Sequence, residues 1–195
     1  PIITLADGTF DGPDAALDAA CAAGLRPTGH CGMLRCLENR VWDLRLEDDS
    51  HVVVKFYRPA RWSRAGIEDE HRFLLDLQAS EIPVCAPLAL PGGGTVGEQA
   101  GVCYGVWPRI GGEPDELSDD ELRGLGRLLA RIHNVGAMKQ PVDRPVLDAD
   151  TALLDPLDEL LDGTWLPPSC EERYATAVES LADVYAERLA DVPLL

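Results

Sequence analysis

Two charged side chains sit where the surrounding pattern asks for apolar ones, and together they restrict the fold more than any other feature of the sequence. Lys55 interrupts the run HVVVKFY (residues 51–57), whose β-branched and aromatic content reads as a strand. Alternation places Lys55 on one face with Val53 and Tyr57, and Val52, Val54 and Phe56 on the other. Glu70 lies in the next segment, 64–80, which at about 100° per residue gathers Ile67, Phe73, Leu74 and Leu77 on one arc with Glu70 at its centre. A carboxylate inside a buried stripe needs a cation, because an unpaired charge out of water is too costly to keep. Lys55 is the cation at hand, so strand and helix are expected to pack face to face with these residues in contact. Taken singly, each charge also has an ordinary account: a strand lysine at a sheet edge, a helix glutamate snorkelling to water.

The segments on either side fill in the architecture. DGPDAALDAACAAG (11–24) carries an acid and a proline at its start and a glycine at its end, the marks of a short helix. From Thr28 to Tyr57 the chain alternates and is broken by turn residues, predicting two or three antiparallel strands with a hairpin at Glu47–Ser50. Pro59 ends the last strand, since it cannot donate to a ladder. A helix over about 63–80 follows, closed by IPVCAP, where two prolines favour extended chain. Leu88–Leu90 and Gly101–Pro108 read as two more strands of the sheet. Gly92, Gly94 and Gly97 between them match GxGxxG, but no helix opens there, so the run is expected to be a hairpin tip rather than a dinucleotide fingerprint.

After Arg109 the pattern is helical. Ser118 and Glu121 form a capping box, followed by Leu122, Leu125, Leu129 and Ile132 at helical spacing. A Pro- and Asp-rich connection (141–150) leads to a shorter helix near 151–162. A last helix is expected from Ser169, with a second capping box to Glu172 and one side made of Tyr174, Val178, Leu181, Tyr185 and Arg188. The fold class is therefore α+β: a small antiparallel β lobe with one inserted helix (residues 1–108), then a hinge and an incomplete helical lobe (109–195).

Charge narrows the function. There are 34 acids against 17 lysines and arginines, a formal charge of −17, which disfavours nucleic acid and anionic membranes as partners. No apolar run reaches the ~18 residues of a membrane span. Six cysteines without CxxC spacing read as reduced thiols of a cytoplasmic protein. His30, Cys31 and Cys36 are close in sequence but lack a fourth ligand and a second paired knuckle, so no metal site is assigned. The cluster Arg58, Arg61 and Arg64 with Trp62 has two readings, solvated salt bridges to acids of the adjacent helix, which are favoured, or a substrate phosphate site.

The segments LENRVWDLRL (37–46), VVVKFYRPARW (52–62), EDEHRFLLDL (68–77), IPVCAPL (82–88), GVWPRIGG (105–112) and LGRLLARIH (125–133) resemble the stress response kinase A (YihE/RdoA-type) family of bacteria, within the aminoglycoside phosphotransferase and protein kinase-like fold. The similarity runs from about residue 25 to the end of the chain. It implies an ATP-dependent serine/threonine kinase using Mg²⁺, with a protein or small molecule as phosphate acceptor. Lys55 would orient the ATP phosphates and Glu70 would be its helix partner. The turn around Cys36, Glu38, Asn39 and Arg40 stands where a phosphate-covering loop lies in such kinases, although GxGxxG is missing and Cys36 takes a place where the family often has serine. Trp107, Pro108, Arg109 and Ile110 would be the hinge presenting its backbone to adenine, or simply a connector between lobes. His133 resembles a histidine common in the superfamily, and a buried, hydrogen-bonded structural role is favoured for it over a catalytic one.

The same resemblance marks a gap. Kinases supply a base and metal ligands from a loop with an Asp and an Asn five residues later. The two asparagines here, Asn39 and Asn134, follow Leu34 and Leu129 at that spacing, so the catalytic loop is missing. The apolar ending ADVPLL, with Val192, Leu194 and Leu195 as a strand candidate, and the start at Pro1 read as a truncation. Three readings stay open: the N-terminal portion of a kinase, inactive alone; a small-molecule phosphotransferase of the aminoglycoside or amino-alcohol type; and a pseudokinase scaffold that binds a partner.

Overall fold

The structure is a computed structural model, and it describes residues 12–112 and 117–190. Two compact units divide at Asp143/Arg144. The first is built on a five-stranded antiparallel sheet, β1 (Pro27–Leu34), β2 (Arg40–Leu46), β3 (His51–Phe56), β4 (Gly97–Gln99) and β5 (Val102–Pro108), in the order β1-β2-β3-β5-β4. Three helices belong to it, α1 (Pro13–Ala22), α2 (Arg64–Ala79) and α3 (Asp119–Met138). The strand from the alternating stretch thus lies at the centre of the sheet, with β2 and β5 on either side, so Lys55 is not an edge lysine.

Alternation along β3 gives the sheet two different faces. Val52, Val54 and Phe56 are buried with Trp42, Leu44, Leu46, Val102, Tyr104 and Val106 in a core closed by Ala15, Ala16, Ala19 and Ala20 of α1. Four alanines let that helix approach the sheet closely, and Pro13 in its first turn has no N–H to leave unsatisfied. On the opposite face Val53 packs with Tyr57, Ile67, Val96 and Trp107, under α2. Ser63 caps α2 by accepting from the N–H of Gly66. Its other end meets α3 through Leu77, Ile82 and Val135, with Phe73, Leu128 and Ile132 around them. At the start of α3 the expected capping box is present, Ser118 and Glu121 bonding reciprocally.

The second unit consists of a π-helical turn (Asp150–Leu154) running into α4 (Asp155–Asp162), and α5 (Glu171–Leu189). Asp148 and Thr151 exchange backbone and side-chain hydrogen bonds ahead of the π turn. Among its described residues Leu157 and Ala182 are buried.

Five sequence expectations need correction. Leu88–Leu90 is not a strand: Pro87 and Pro91 flank it, and its ladder-like contact is the Leu88 N–H on the Val106 carbonyl at 2.7 Å. The fourth strand is Gly97–Gln99 instead, so Gly97 belongs to the ladder, where a Cβ would stand 2.3 Å from the Tyr104 ring. The glycines of the turn are Gly92, Gly93 and Gly94, the last two at positive φ. The Ser169–Glu172 box does not form. Cys170 is the N-cap, because its N–H turns back onto the Pro167 carbonyl and starts the helix one residue later. The buried side of α5 runs through Ala175, Val178, Ala182 and Tyr185: Val178 and Tyr185 lie on the expected side, but Tyr174, Leu181 and Arg188 are exposed and Ala175 and Ala182 complete the packed face. His133 is likewise exposed and not a buried structural histidine. Asp11 and the apolar end, Val192, Leu194 and Leu195, lie outside the described residues.

Candidate functional site

The packing of α2 on the Lys55 face brings the two anomalous charges together. Nζ of Lys55 is 3.1 Å from Oε1 of Glu70, with the two side chains 23% and 27% exposed. At that distance an effective dielectric of about 20 gives roughly 5 kcal/mol of attraction, and withdrawing each ion from water costs several kcal/mol. The two terms nearly cancel, so stability alone does not explain why a central strand carries a lysine here. The ammonium also lies 4.1 Å from the centroid of the Tyr57 ring and 5.6 Å from that of Trp107, an aromatic seat on two sides.

Around this pair the helix makes a different contact at each successive residue. Glu68 takes Nε of Arg64 at 2.9 Å. Asp69, 4% exposed, accepts the backbone N–H groups of Val142 and Asp143 at 2.8 and 2.7 Å and pairs with Arg72. The Asp143 N–H bond above all, helped by that of Val142 and by Arg72 and opposed by burial, holds its carboxyl below the ordinary aspartate range. Glu70 takes Lys55 and the Tyr57 hydroxyl, the latter at 3.3 Å. His71, 1% exposed, lies with Nε2 2.7 Å from the Tyr57 hydroxyl and Nδ1 2.7 Å from Oγ1 of Thr95. Asp69, His71 and Thr95 were not singled out from sequence. His71 was detectable, since it falls four residues after Ile67 and three before Leu74, on the apolar arc. Thr95, in a glycine turn, gave no signal.

The loop between β1 and β2 is tied to the chain after β3. Oδ1 of Asn39 accepts the backbone N–H of Arg58, and Glu38 pairs with Nε of Arg61 at 3.0 Å. Cys36 is exposed beside a hollow of about 400 Å³ that Leu34, Asn39 and Arg40 also line. Of the basic cluster, Arg64 meets the helix acid Glu68 and the carbonyl of Val96, whereas Arg61 turns away from the helix to Glu38.

The four hinge candidates divide between strand and connector. Trp107 and Pro108 are the last residues of β5, in register with Val53 and Val52. The Arg109 N–H extends that ladder to the His51 carbonyl at 3.0 Å, and the Pro108 carbonyl takes the thiol of Cys85. Arg109 also sends Nε to Asp43 at 3.1 Å, and His51 meets the same carboxylate at 2.9 Å. Burial pushes the Asp43 carboxyl up, but the bonds from His51 and Arg109 outweigh it and hold the group below its ordinary value. Ile110 follows in the exposed connector.

A sheet lysine held by a helix glutamate, on a β lobe of this strand order, defines a phosphotransferase-type fold. The chain belongs to the phosphotransferase enzyme family (APH), whose model matches residues 36–194. Among curated proteins it is similar to stress response kinase A of Escherichia coli (strain K12), 34% identical over 170 residues that cover 87% of this chain and 52% of the relative. It is also similar to serine/threonine protein kinase RdoA of Salmonella typhimurium (strain LT2), 33% identical over 176 residues, 90% of this chain and 53% of the relative. The chain thus spans about half the length of these relatives. Among solved structures, amicoumacin kinase hAmiN in complex with AMP-PNP, Ca²⁺ and Ami aligns over 93% of this chain and 55% of its own, with TM-score 0.68 and 19% identity. Spectinomycin phosphotransferase APH(9)-Ia aligns over 93% and 58%, with TM-score 0.61 and 11% identity. At those identities the likeness shows the fold, which is kinase-like.

Proposed function

We propose that these residues form the nucleotide-clamping part of a cytoplasmic, ATP-dependent serine/threonine kinase of the stress response type, with the base and metal ligands supplied from outside this chain. The observation that carries the reading is the 3.1 Å contact between Lys55 and Glu70 on a central strand and the helix behind it. An ammonium held by one carboxylate and two aromatic rings keeps donors for phosphate oxygens. Val41, directly across the ladder from Lys55, is its apolar neighbour on the same sheet face. By resemblance to the family, the loop with Cys36, Glu38, Asn39 and Arg40 would cover the phosphates and the stretch Trp107–Ile110 would lie beside adenine, although the Arg109 N–H and the Pro108 carbonyl are engaged by His51 and Cys85. Unpaired cysteines fit a reducing compartment, and among the described residues no helix is long and apolar enough to cross a membrane.

Mg²⁺ does not fit the residues described. No group of three or more His, Cys, Asp or Glu side chains placed to hold a metal occurs among them, so no step is derived through the ion. The chain alone is expected to bind nucleotide without transferring phosphate. Titration calorimetry with MgATP tests the reading: Lys55→Ala should weaken binding by about tenfold or more, the loss of a charged hydrogen bond. Equal affinity in that variant removes Lys55 from the role.

A second reading, a small-molecule phosphotransferase, draws on the fold shared with amicoumacin kinase and with a microcompartment-associated aminopropanol kinase. Acceptor profiling of the full-length protein with peptides and with amino alcohols separates the two. A pseudokinase scaffold would bind a partner and phosphorylate neither.

A further inference from the structure

Behind the Lys55–Glu70 pair runs a line of hydrogen bonds through three side chains from three segments. Counting hydrogens gives it a direction. An ionised carboxylate only accepts, so the Tyr57 hydroxyl, 3.3 Å from Oε1 of Glu70, donates its one hydrogen there. The tyrosine oxygen is then the acceptor for His71, 2.7 Å away, and His71 must carry its hydrogen on Nε2. Its bare Nδ1 takes the hydroxyl hydrogen of Thr95, also at 2.7 Å. Every donor points toward Glu70, and the central pair, Tyr57 and His71, is buried, where hydrogen bonds in series reinforce one another. The imidazole has little room to turn. It stands edge-on to Trp107, centroids 5.1 Å apart, and over Gly105, where a Cβ would lie 2.8 Å from its Cε1.

We propose that His71 is a positioning residue for Lys55, acting through Tyr57 and Glu70, an inference that rests on the phosphate-clamp reading for its functional meaning. Glu70 fixes the hydrogen of Tyr57 and thereby the tautomer of His71, Thr95 satisfies the remaining ring nitrogen, and His71 in turn holds the Tyr57 hydroxyl that pins one oxygen of the carboxylate. Tyr57 acts twice, since its ring also lies beneath Nζ. Without this line the Glu70 carboxylate loses one of the groups that fix its position, and Lys55 loses the same constraint.

The chain has two lysines, Lys55 and Lys139, so trace acetylation read by peptide mass spectrometry reports on Lys55 with Lys139 as an internal standard. His71→Phe and Tyr57→Phe should each raise the Lys55-to-Lys139 labelling ratio about three- to tenfold, the equivalent of one ordinary hydrogen bond. His71→Gln keeps an N–H donor at the Nε2 end and should restore the wild-type ratio. Tyr57→Phe deletes a single oxygen and covers the case in which the change at 71 unfolds the chain. An unchanged or lower ratio in Tyr57→Phe, with wild-type circular dichroism and thermal unfolding, overturns the proposal. So does a ¹⁵N spectrum showing His71 with its hydrogen on Nδ1. MgATP is a separate arm. Protection of wild-type Lys55 by nucleotide, lost in Tyr57→Phe, supports both readings, whereas raised ratios in the variants without any protection by MgATP sink the clamp reading and leave the positioning role standing.

Discussion

Gly105 lies directly across the β3–β5 ladder from Lys55, and the side chain it lacks is the space that His71 and Trp107 occupy. A Cβ there would meet Trp107 at 2.6 Å and His71 at 2.8 Å. Both rings are buried, His71 on α2 and Trp107 edge-on to it, so neither can give way as a flexible surface side chain would.

Gly105→Ala should therefore destabilise the first unit by about 1–3 kcal/mol, the usual cost of overpacking a filled interior. Urea denaturation followed by tryptophan fluorescence measures it. A wild-type midpoint would mean that the rings have slack the structure does not show.

Asp69→Asn tests the tie between α2 and residues 142–143. The folded carboxyl titrates below its unfolded value, so the stability it contributes is present above the ordinary aspartate pKa of about 4 and is lost as pH falls through the lower folded value. The gap in unfolding midpoint between wild type and Asp69→Asn should be widest near neutrality and close as the medium becomes strongly acidic. A gap that does not change with pH would place the effect in packing instead.

Ser118→Ala removes one half of the capping box at the start of α3. The expected loss is about 1 kcal/mol, with Ser118→Gly costing less. Circular dichroism melts of the two variants side by side would show the order.

Cysteine reactivity should follow burial. Desolvation raises the thiol pKa of Cys85, and also that of Cys103, where burial outweighs a lowering by Arg64. Both should alkylate with iodoacetamide at mildly alkaline pH more slowly than the exposed Cys21 and Cys36. Mass spectrometry over a time course reads the order, and early labelling of Cys103 would contradict the packing around Tyr57 and Ile67.

Much of this molecule is legible in its residues, for reasons that differ along the chain. The β lobe is readable because β3 alternates strictly and Pro59 ends it, and the Lys55–Glu70 contact because both charges break an apolar pattern. What escaped depends on contacts between segments distant in sequence. Thr95 matters only because its turn folds back over His71. Gly97 belongs to a strand only because Tyr104 lies across it, and local composition there says turn. In α5 Val178 and Tyr185 were legible as part of the packed face, but Ala175 and Ala182 were not, since close approach selects small residues as readily as burial selects large ones. The hinge candidates were placed by resemblance, and no local pattern indicates that Trp107 is still strand while Ile110 is connector.

Asp69, Glu70 and His71 reach groups outside their helix, and three consecutive helical positions sweep about 200° of its surface. The azimuth of α2 is thus set from three directions, by the chain at 142–143, by Lys55 and by the Tyr57–His71 line, while Glu68 pairs with Arg64 inside the helix. One residue inserted in the first turn of α2 would carry these three side chains about 100° around the axis relative to the N-cap at Ser63, each toward its neighbour's partner.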